Sequence, residues 1–257
     1  MLTDDAFLSA DSNKDAQHFC WACAQSFDAF EAYGQPARPG RCPRCGAKPR
    51  HRAMLWYLRH ALAPKLGSGS RVLEIGAAKF AIRNFLAAHY LGQATYTALD
   101  LRCLKHHRAL SWPHVFVQGT ATRLPFAPAS FDVILCNNTL TYIPDDVAAL
   151  AEMGRCLRRD GLLMIQTHRH SEPTCSAVAY AAENPALPPS WFAENGDAWV
   201  YGPDFFERVQ FAGLSTRIDV PLTGRHDEFY ARYGVKTQME FIVAFREPAG
   251  AERFSSP

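Results

Sequence analysis

The chain has 257 residues, nearly half of them apolar and a fifth charged, with a formal net charge of +2. That length buries a sizeable core and leaves room for one large domain plus a small appendage. The balance excludes wholesale disorder, and the near-neutral charge singles out no partner. No apolar run reaches the length of a membrane span, and the acidic start MLTDDAFLSADSNKD lacks the apolar centre of a signal peptide, so a cytoplasmic setting is expected.

Residues 1–17 are polar and read as a loose segment. Cys20, Cys23, Cys42 and Cys45 then form C-x2-C-x18-C-x2-C, two knuckles spaced for one tetrahedral zinc ion. Gly46 follows the second pair, where the turn favours positive φ. Four thiolates close the coordination shell, so the ion's role is folding rather than chemistry, and residues 18–52 read as a small zinc ribbon. His18 is a spare ligand that this shell does not need. Disulfides are the competing reading, disfavoured by the missing leader. Cys103, Cys136, Cys156 and Cys175 are scattered singly and read as reduced thiols. From Ala32 to Leu73 there are nine Lys or Arg and no acid: Arg38, Arg41, Arg44, Lys48, Arg50, Arg52, Arg59, Lys65 and Arg71. They form either an RNA-binding face or a set of cations that offsets the thiolates.

Met54, Leu55, Leu58 and Leu62 recur at helical spacing, which predicts a helix from Pro49 to Pro64; residues 53–70 thus make a connecting helix and joint. From Arg71 strands alternate with helices. VLEI, TYTAL (ending at Asp100), HVFVQ, FDVILC and GLLMIQ (Gly161 to Gln166) are the strands. Helices are expected near Lys79–Tyr90, Leu101–Leu110 and Asp145–Leu157, the last with acids first and Arg155, Arg158 and Arg159 at its end. Such alternation means a parallel sheet covered on both faces. Residues 171–202, rich in proline, alanine and aromatics, break it. A helix near Pro203–Phe211 and strands at STRIDV and QMEFIVAF finish a domain spanning 71–247, before a tail at 248–257.

The loop leaving the first of these strands, GAAKF, carries one glycine, Gly76, and Asp100 ends the next strand. A strand-to-helix turn offers free backbone amides to a ligand, and an acid at that place accepts hydrogen bonds from two ribose hydroxyls. The pyrophosphate loop of a dinucleotide enzyme would need more glycines. The stretch from Gly119 to Gln166, with its LPF…SFD approach to the fourth strand and LRRDG before the fifth, resembles the class I S-adenosylmethionine (SAM) dependent methyltransferases. With VLEIG and YTALD in register, the likeness covers roughly residues 70–170. It implies a Rossmann-like, seven-stranded, mostly parallel sheet. It also implies that Glu74, Gly76, Ala77 and Ala78 line the methionine end of SAM and that Asp100 takes the ribose hydroxyls. Leu101, Thr120 and Ala121 would flank the adenine, and Asn137 would face the sulfonium. Two departures stand out: Ala77-Ala78-Lys79 replaces smaller residues, and Thr120 stands where many relatives carry aspartate. CPRCGAKPRHRAMLWYL and AWVYGPDFFERVQFAGL resemble a zinc-ribbon-bearing subgroup of that family.

Methyl transfer needs an aligned nucleophile and a place for its proton. Tyr142 after the fourth strand, and His168 and His170 after the fifth, are the candidate catalytic residues. CNNTLTYI is not the Asn-Pro-Pro-aromatic clamp of many amine methyltransferases. The aromatic insertion at 171–202 reads either as a lid over the acceptor or as packing for a longer loop. Three functions follow: methylation of an O or N nucleophile on a small molecule or glycan; methylation of RNA bases gripped by the basic ribbon; or a zinc-dependent scaffold with a degenerate SAM fold.

Overall fold

The computed structural model describes residues 16–34, 37–62, 66–67, 69–77, 94–102, 114–186 and 196–246. The expected helix near 79–90, residues 103–110 of the one near 101–110, and Ala78 lie outside them. The chain divides into two compact units.

The first unit contains residues 1–70, 78–94 and 220–240, so the sequence range 71–247 is shared between the units. Its described part holds two small ladders, β1 (His18–Cys20) with β2 (Gln25–Phe27) and β3 (Glu31–Tyr33) with β4 (Arg38–Arg41). Helix α1 (Pro49–Tyr57) follows and widens into a π-helical turn at Leu58–Leu62. Pro49 takes the first helical position, where its missing N–H costs nothing. The Lys48 N–H donates to His51 Nδ1 at 3.3 Å. Burial, helped by the neighbouring cations Arg50, Lys48 and Arg52, pushes the His51 pKa down to about 3, which keeps that nitrogen a neutral acceptor. The helical spacing in the sequence suggested one apolar stripe, yet every residue from Arg52 to Leu58 is buried. A helix covered all round is a core element. Trp21, Trp56, Phe229 and Tyr233 close this core, with Trp21 4.9 Å from Tyr233 and 5.2 Å from Trp56. Phe229 and Tyr233 belong to a helix at Asp227–Tyr233 that the periodicity did not announce; acids in its first turn and a left-handed Gly234 bound it.

The second unit is built on a seven-stranded sheet. Its strands are β5 (Ser70–Ile75), β6 (Ala94–Asp100), β7 (His114–Gln118), β8 (Phe131–Asn137), β9 (Leu157–Gln166), β12 (Ser215–Asp219) and β13 (Phe241–Phe245). The order is β12-β13-β9-β8-β5-β6-β7. The β9–β8, β8–β5 and β6–β7 ladders are parallel, and β13 runs antiparallel to both neighbours. The chain leaves β5 in one direction through β6 and β7 and in the other through β8 and β9. The reversal lies between β5 and β8, at whose carboxyl ends such sheets bind ligands. Helix α2 (Asp146–Cys156) packs Ala149, Leu150 and Met153 against Leu73, Ile75, Ile134, Cys136, Leu163 and Ile165.

The sequence suggested a fifth strand starting at Gly161; β9 instead begins at Leu157, straight from α2, and bulges. Phe131 pairs with Leu157 but Val133 pairs with Leu162, so the intervening residues loop out of register. A Cβ on Gly161 would stand 2.8 Å from the Asp132 carbonyl oxygen, so only glycine lets the bulge close. Within 171–202, β10 (Cys175–Ser176) pairs with β11 (Trp199–Val200), and α3 (Ala177–Glu183) starts on Ser176, whose hydroxyl accepts the Ala179 N–H. Helix α4 (Phe205–Phe211) follows.

Asp146 opens α2, is 1% exposed, and accepts from Arg208 Nε at 2.8 Å and from the Tyr201 hydroxyl at 2.9 Å. It thereby ties α2 to α4 and to the strand end after β11. Replacing Asp146 by Asn leaves the Arg208 charge without its partner and should cost about 3 kcal/mol. Thermal denaturation should show this loss, and Asp146→Asn/Arg208→Met should recover a good part of it; a single variant as stable as wild type would refute the assignment.

Candidate functional site

Three loops meet at the carboxyl ends of β5, β6 and β8. Gly76 leaves β5 at φ +66°, and its N–H donates to the Leu99 carbonyl at 2.8 Å. A Cβ there would stand 2.3 Å from Thr139 Oγ1 and Cγ2. Both the positive φ and the missing space demand glycine at this one position. Ala77 is buried beside it. Asp100 ends β6, one carboxylate oxygen accepting the Arg102 N–H at 2.9 Å, and its carbonyl accepts the Gly119 N–H at 3.1 Å. Leu101 is 70% exposed, Thr120 is exposed and turns onto Thr122, and Ala121 is buried. Asn137 ends β8 opposite Gln166 of β9.

Side chains alternate along strands. Leu73, Ile75, Leu99, Ile134, Cys136, Leu163 and Ile165 join the core under α2, so Glu74, Tyr96, Asp100, Asn137 and Gln166 share the opposite face. Glu74 is buried there and accepts a hydrogen bond from the Tyr96 hydroxyl. Burial pushes its pKa up to about 7; the Asp100 charge adds to the rise and the Tyr96 bond opposes it.

On the acceptor side, a 3-10 turn at Leu140–Tyr142 follows β8. Residues 198–201 lie along it: the Ala198 N–H donates to the Thr141 carbonyl at 2.7 Å, Trp199 Nε1 to the Ile143 and Pro144 carbonyls at 3.1 and 3.0 Å, and the Tyr201 hydroxyl to the Leu140 carbonyl at 3.2 Å. The His170 N–H donates to the Tyr201 carbonyl at 2.8 Å, so this segment bridges the loops after β8 and β9. Tyr142, His168 and His170 are exposed on those loops, and the His170 ring lies 5.3 Å from Tyr180. Thr141 Oγ1 and Gln166 Oε1 are buried with no hydrogen-bond partner among the described residues. Asp197, at the entrance to the bridging segment, was not among the candidates read from the sequence. Only the fold, through the Ala198 N–H on the Thr141 carbonyl, brings residue 197 next to that turn.

In the first unit, the sulfurs of Cys20, Cys23, Cys42 and Cys45 lie within 4.8 Å of one another, with Cys20–Cys45 and Cys23–Cys42 at 3.8 Å. That is far too long for disulfides. Gly46 takes φ +71° and its N–H donates to the Cys42 carbonyl at 2.9 Å, closing one knuckle. His18 is not in the cluster; its Nδ1 bonds the Ala231 carbonyl at 2.9 Å. Arg52 is fully buried beside it. Its guanidinium donates to the carbonyls of Gly40, Ala47, Tyr233 and Gly234 at 2.6–2.7 Å and lies 4.4 Å over the Phe30 ring. Burial pushes the Arg52 pKa down, and the sulfurs of Cys20, Cys42 and Cys45 oppose that and favour its charge.

A carboxyl whose folded pKa is raised stabilises the fold while protonated, and that contribution is lost as pH climbs from the ordinary carboxyl range through about 7. For Glu74 the loss amounts to about 3 kcal/mol. Glu74→Gln should therefore melt about 4 °C above wild type at pH 5.5 and about 10 °C above it at pH 8.5. An offset unchanged between the two pH values would show that Glu74 titrates normally.

A family model described as "Methyltransferase domain" matches residues 73–165, the span from β5 to β9. A demethylmenaquinone methyltransferase of Mycobacterium sp. (strain KMS) is 34% identical over 172 residues, covering 64% of this chain and 72% of that one. A ubiquinone/menaquinone biosynthesis C-methyltransferase of Rhizobium leguminosarum bv. trifolii is 31% identical over 160 residues, covering 59% and 62%. A solved structure described as a methyltransferase of Bacillus halodurans C-125 superposes with TM-score 0.53 at 16% identity, over 76% of this chain and 99% of that one, a likeness of fold. Matching family model, relatives and sheet order together, the chain belongs to the class I SAM-dependent methyltransferases.

Proposed function

We propose that the chain methylates an O or N nucleophile of a small molecule, natural product or glycan, with SAM as donor, and that its cysteine cluster holds a structural zinc ion. SAM supplies a methyl group on a positively charged sulfur. On this reading Asp100 keeps its second carboxylate oxygen for the ribose hydroxyls, Leu101, Thr120 and Ala121 flank the adenine, and Asn137 faces the sulfonium. Glu74, Gly76, Ala77 and Ala78 line the methionine end. The Gly76 turn supports this, since it leaves no room for a side chain and lets the backbone itself approach a ligand. Tyr142, His168 and His170 are the catalytic candidates at the acceptor mouth.

The observation that favours a small acceptor over RNA is where the ribbon's cations go. Arg52 and Arg59 are buried, Arg41 pairs with Glu31 at 3.5 Å, and Arg38 and Lys48 lie over the Tyr33 ring. The curated relatives also carry the names of small-molecule acceptors, one of them a C-methyltransferase, so carbon is the alternative acceptor atom. Among the described residues no helix is long and apolar enough to cross a membrane.

Calorimetric titration should give one SAM per chain. Methyl-labelled SAM should then pass its label to the ultrafiltered small-molecule fraction of a cell extract and leave the RNA fraction unlabelled. Labelled RNA, with binding that weakens steeply with salt, would turn the assignment to RNA. A correctly folded, metal-loaded chain that binds no SAM would be a scaffold.

For the metal, the fit is geometric and electrostatic. Thiolates about 2.3 Å from a tetrahedral zinc ion sit about 3.8 Å apart, the separation of the Cys20–Cys45 and Cys23–Cys42 sulfurs. Buried Arg52 balances the surplus negative charge. We read residues 18–52 as the zinc ribbon of the subgroup marked by C-P-x-C-G and Arg-His-Arg, joined through 53–70 to the methyltransferase domain. Protein purified without chelator should carry about one zinc per chain, and chelation should lower its melting temperature by several degrees. Metal-free protein of unchanged stability would argue against the ribbon.

A further inference from the structure

The adjacent parallel strands β5 and β8 are each followed by a residue in the left-handed region, Gly76 at φ +66° and Asn138 at φ +51°. Non-glycine residues held at positive φ are uncommon and gather at ligand sites. The turn at Asn138, whose N–H donates to the Gln166 carbonyl at 2.7 Å, brings Thr139 back over the β5 loop. Thr139 Oγ1 and Cγ2 both lie 2.3 Å from where a Cβ on Gly76 would stand, so they rest on the Gly76 α carbon. On the other side, the Leu99 carbonyl accepts the Gly76 N–H at 2.8 Å and the Ala77 N–H at 3.4 Å. A glycine is free to turn at either sign of φ. Clamped between Thr139 and Leu99, this one is held at a single turn.

Thr139 is also where the acceptor side begins. Its carbonyl accepts the Tyr142 N–H at 3.0 Å and opens the turn at Leu140–Tyr142. The Thr141 carbonyl accepts the Ala198 N–H at 2.7 Å, and the Leu140 carbonyl accepts the Tyr201 hydroxyl at 3.2 Å. The Tyr201 carbonyl in turn accepts the His170 N–H at 2.8 Å. A continuous series of contacts thus runs from Gly76 to the loops that carry Tyr142, His168 and His170. Every residue in it belongs to the second unit.

We propose that Thr139 is a positioning residue of the methyl transfer: it holds the donor loop at Gly76 and couples occupancy of the donor site to the acceptor mouth. This rests on the SAM-dependent reading above, in which Gly76 and Ala77 line the methionine end of the donor. Thr139 acts through Gly76 and needs no contact with SAM itself. A ligand on the loop keeps Gly76 at its turn, which keeps Thr139 seated and the 140–142 turn bonded to residues 198–201. Displacing that turn lifts Thr139 and gives the donor loop room to relax. The coupling is reciprocal, so a correctly seated acceptor also tightens the donor. Such register matters because in-line transfer is sensitive to a misplacement of about 1 Å.

The test uses full-length, metal-loaded protein and S-adenosylhomocysteine, the demethylated donor, as probe, so it needs no acceptor. Calorimetry gives the affinity, and amide hydrogen exchange reads the Tyr142, Ala198 and His170 N–H groups with and without the probe. In wild type, saturating S-adenosylhomocysteine should slow all three. Thr139→Ala clears the space over Gly76. It should bind the probe about 10-fold more weakly and lose most of that protection even at saturation, with its melting temperature little changed. Thr139→Val keeps the shape and gives up only the hydroxyl, which donates to the Asn137 carbonyl at 3.2 Å, and should behave as wild type. Should Thr139→Ala fail to fold, Thr139→Ser, which removes only Cγ2, carries the same comparison. Wild-type affinity and protection in the truncated variant overturn the proposal, whether or not its melting temperature falls. So does a wild-type chain that binds the probe while its three amides exchange as before. Folded wild type that binds no S-adenosylhomocysteine overturns the SAM reading itself, and this proposal with it.

Discussion

The contact that organises the second unit is the one between Gly76 and Thr139. Parallel strands β5 and β8 are adjacent in the sheet but far apart in sequence, and each ends in a loop that must clear the other. The Gly76 N–H is held by the Leu99 carbonyl on one side, and Thr139 fills the space above its α carbon on the other. No side chain fits between. The loop is fixed in a left-handed turn against β6 and β8 at once, so the carboxyl ends of the three strands form one surface. Asn138 also adopts positive φ as β8 ends, a conformation asparagine tolerates better than most residues. The single glycine of GAAKF is thus a requirement of packing.

In the first unit the corresponding constraint is the Arg52 guanidinium. A buried cation needs partners for its hydrogens and a counter-charge. Its hydrogen bonds go to four carbonyls from both the ribbon and the segment around Gly234, and its counter-charge comes from the cysteine sulfurs. The arginine therefore joins chain segments that are 180 residues apart in sequence. A carboxylate partner would have competed with the thiolates; carbonyls leave their charge to the cluster. It also explains why the basic run in the sequence overstated the surface charge: the pattern counts cations but cannot show which of them point inward.

What the sequence disclosed and what it hid divide along physical lines. The parallel strands were readable because buried strands are near-continuous apolar runs bounded by turn residues, and the four cysteines because metal geometry imposes spacing. The Asp227–Tyr233 helix escaped notice because its aromatic face meets a distant partner, the Trp21–Trp56 pair, and seven residues give too little periodicity to see. The start of β9 was misplaced because LRRDG reads as a turn in isolation, whereas Gly161 lets it lie against β8 as a bulge. On the acceptor side, Tyr142, His168 and His170 were visible as residue types after strand ends. The bridge made by residues 198–201 was not, since hydrogen bonds from a late segment to an early turn leave no trace in local pattern.

The electrostatics at the carboxyl ends of β5 and β6 distinguish between kinds of charge. Glu74 is buried with a protonatable carboxyl beside Tyr96, and Asp100 adds negative charge at the next strand end. An anionic ligand entering here would raise the cost of ionising Glu74 still further. A ligand bearing a cation offsets that cost and draws the carboxyl back toward its ionised form. The same linkage runs in reverse: wherever a cation near Glu74 lowers its pKa, deprotonation of Glu74 tightens the cation's binding. An anion and a cation brought near Glu74 therefore shift its ionisation in opposite directions. The buried acid at the end of β5 thus sets the sign of charge that its surroundings tolerate.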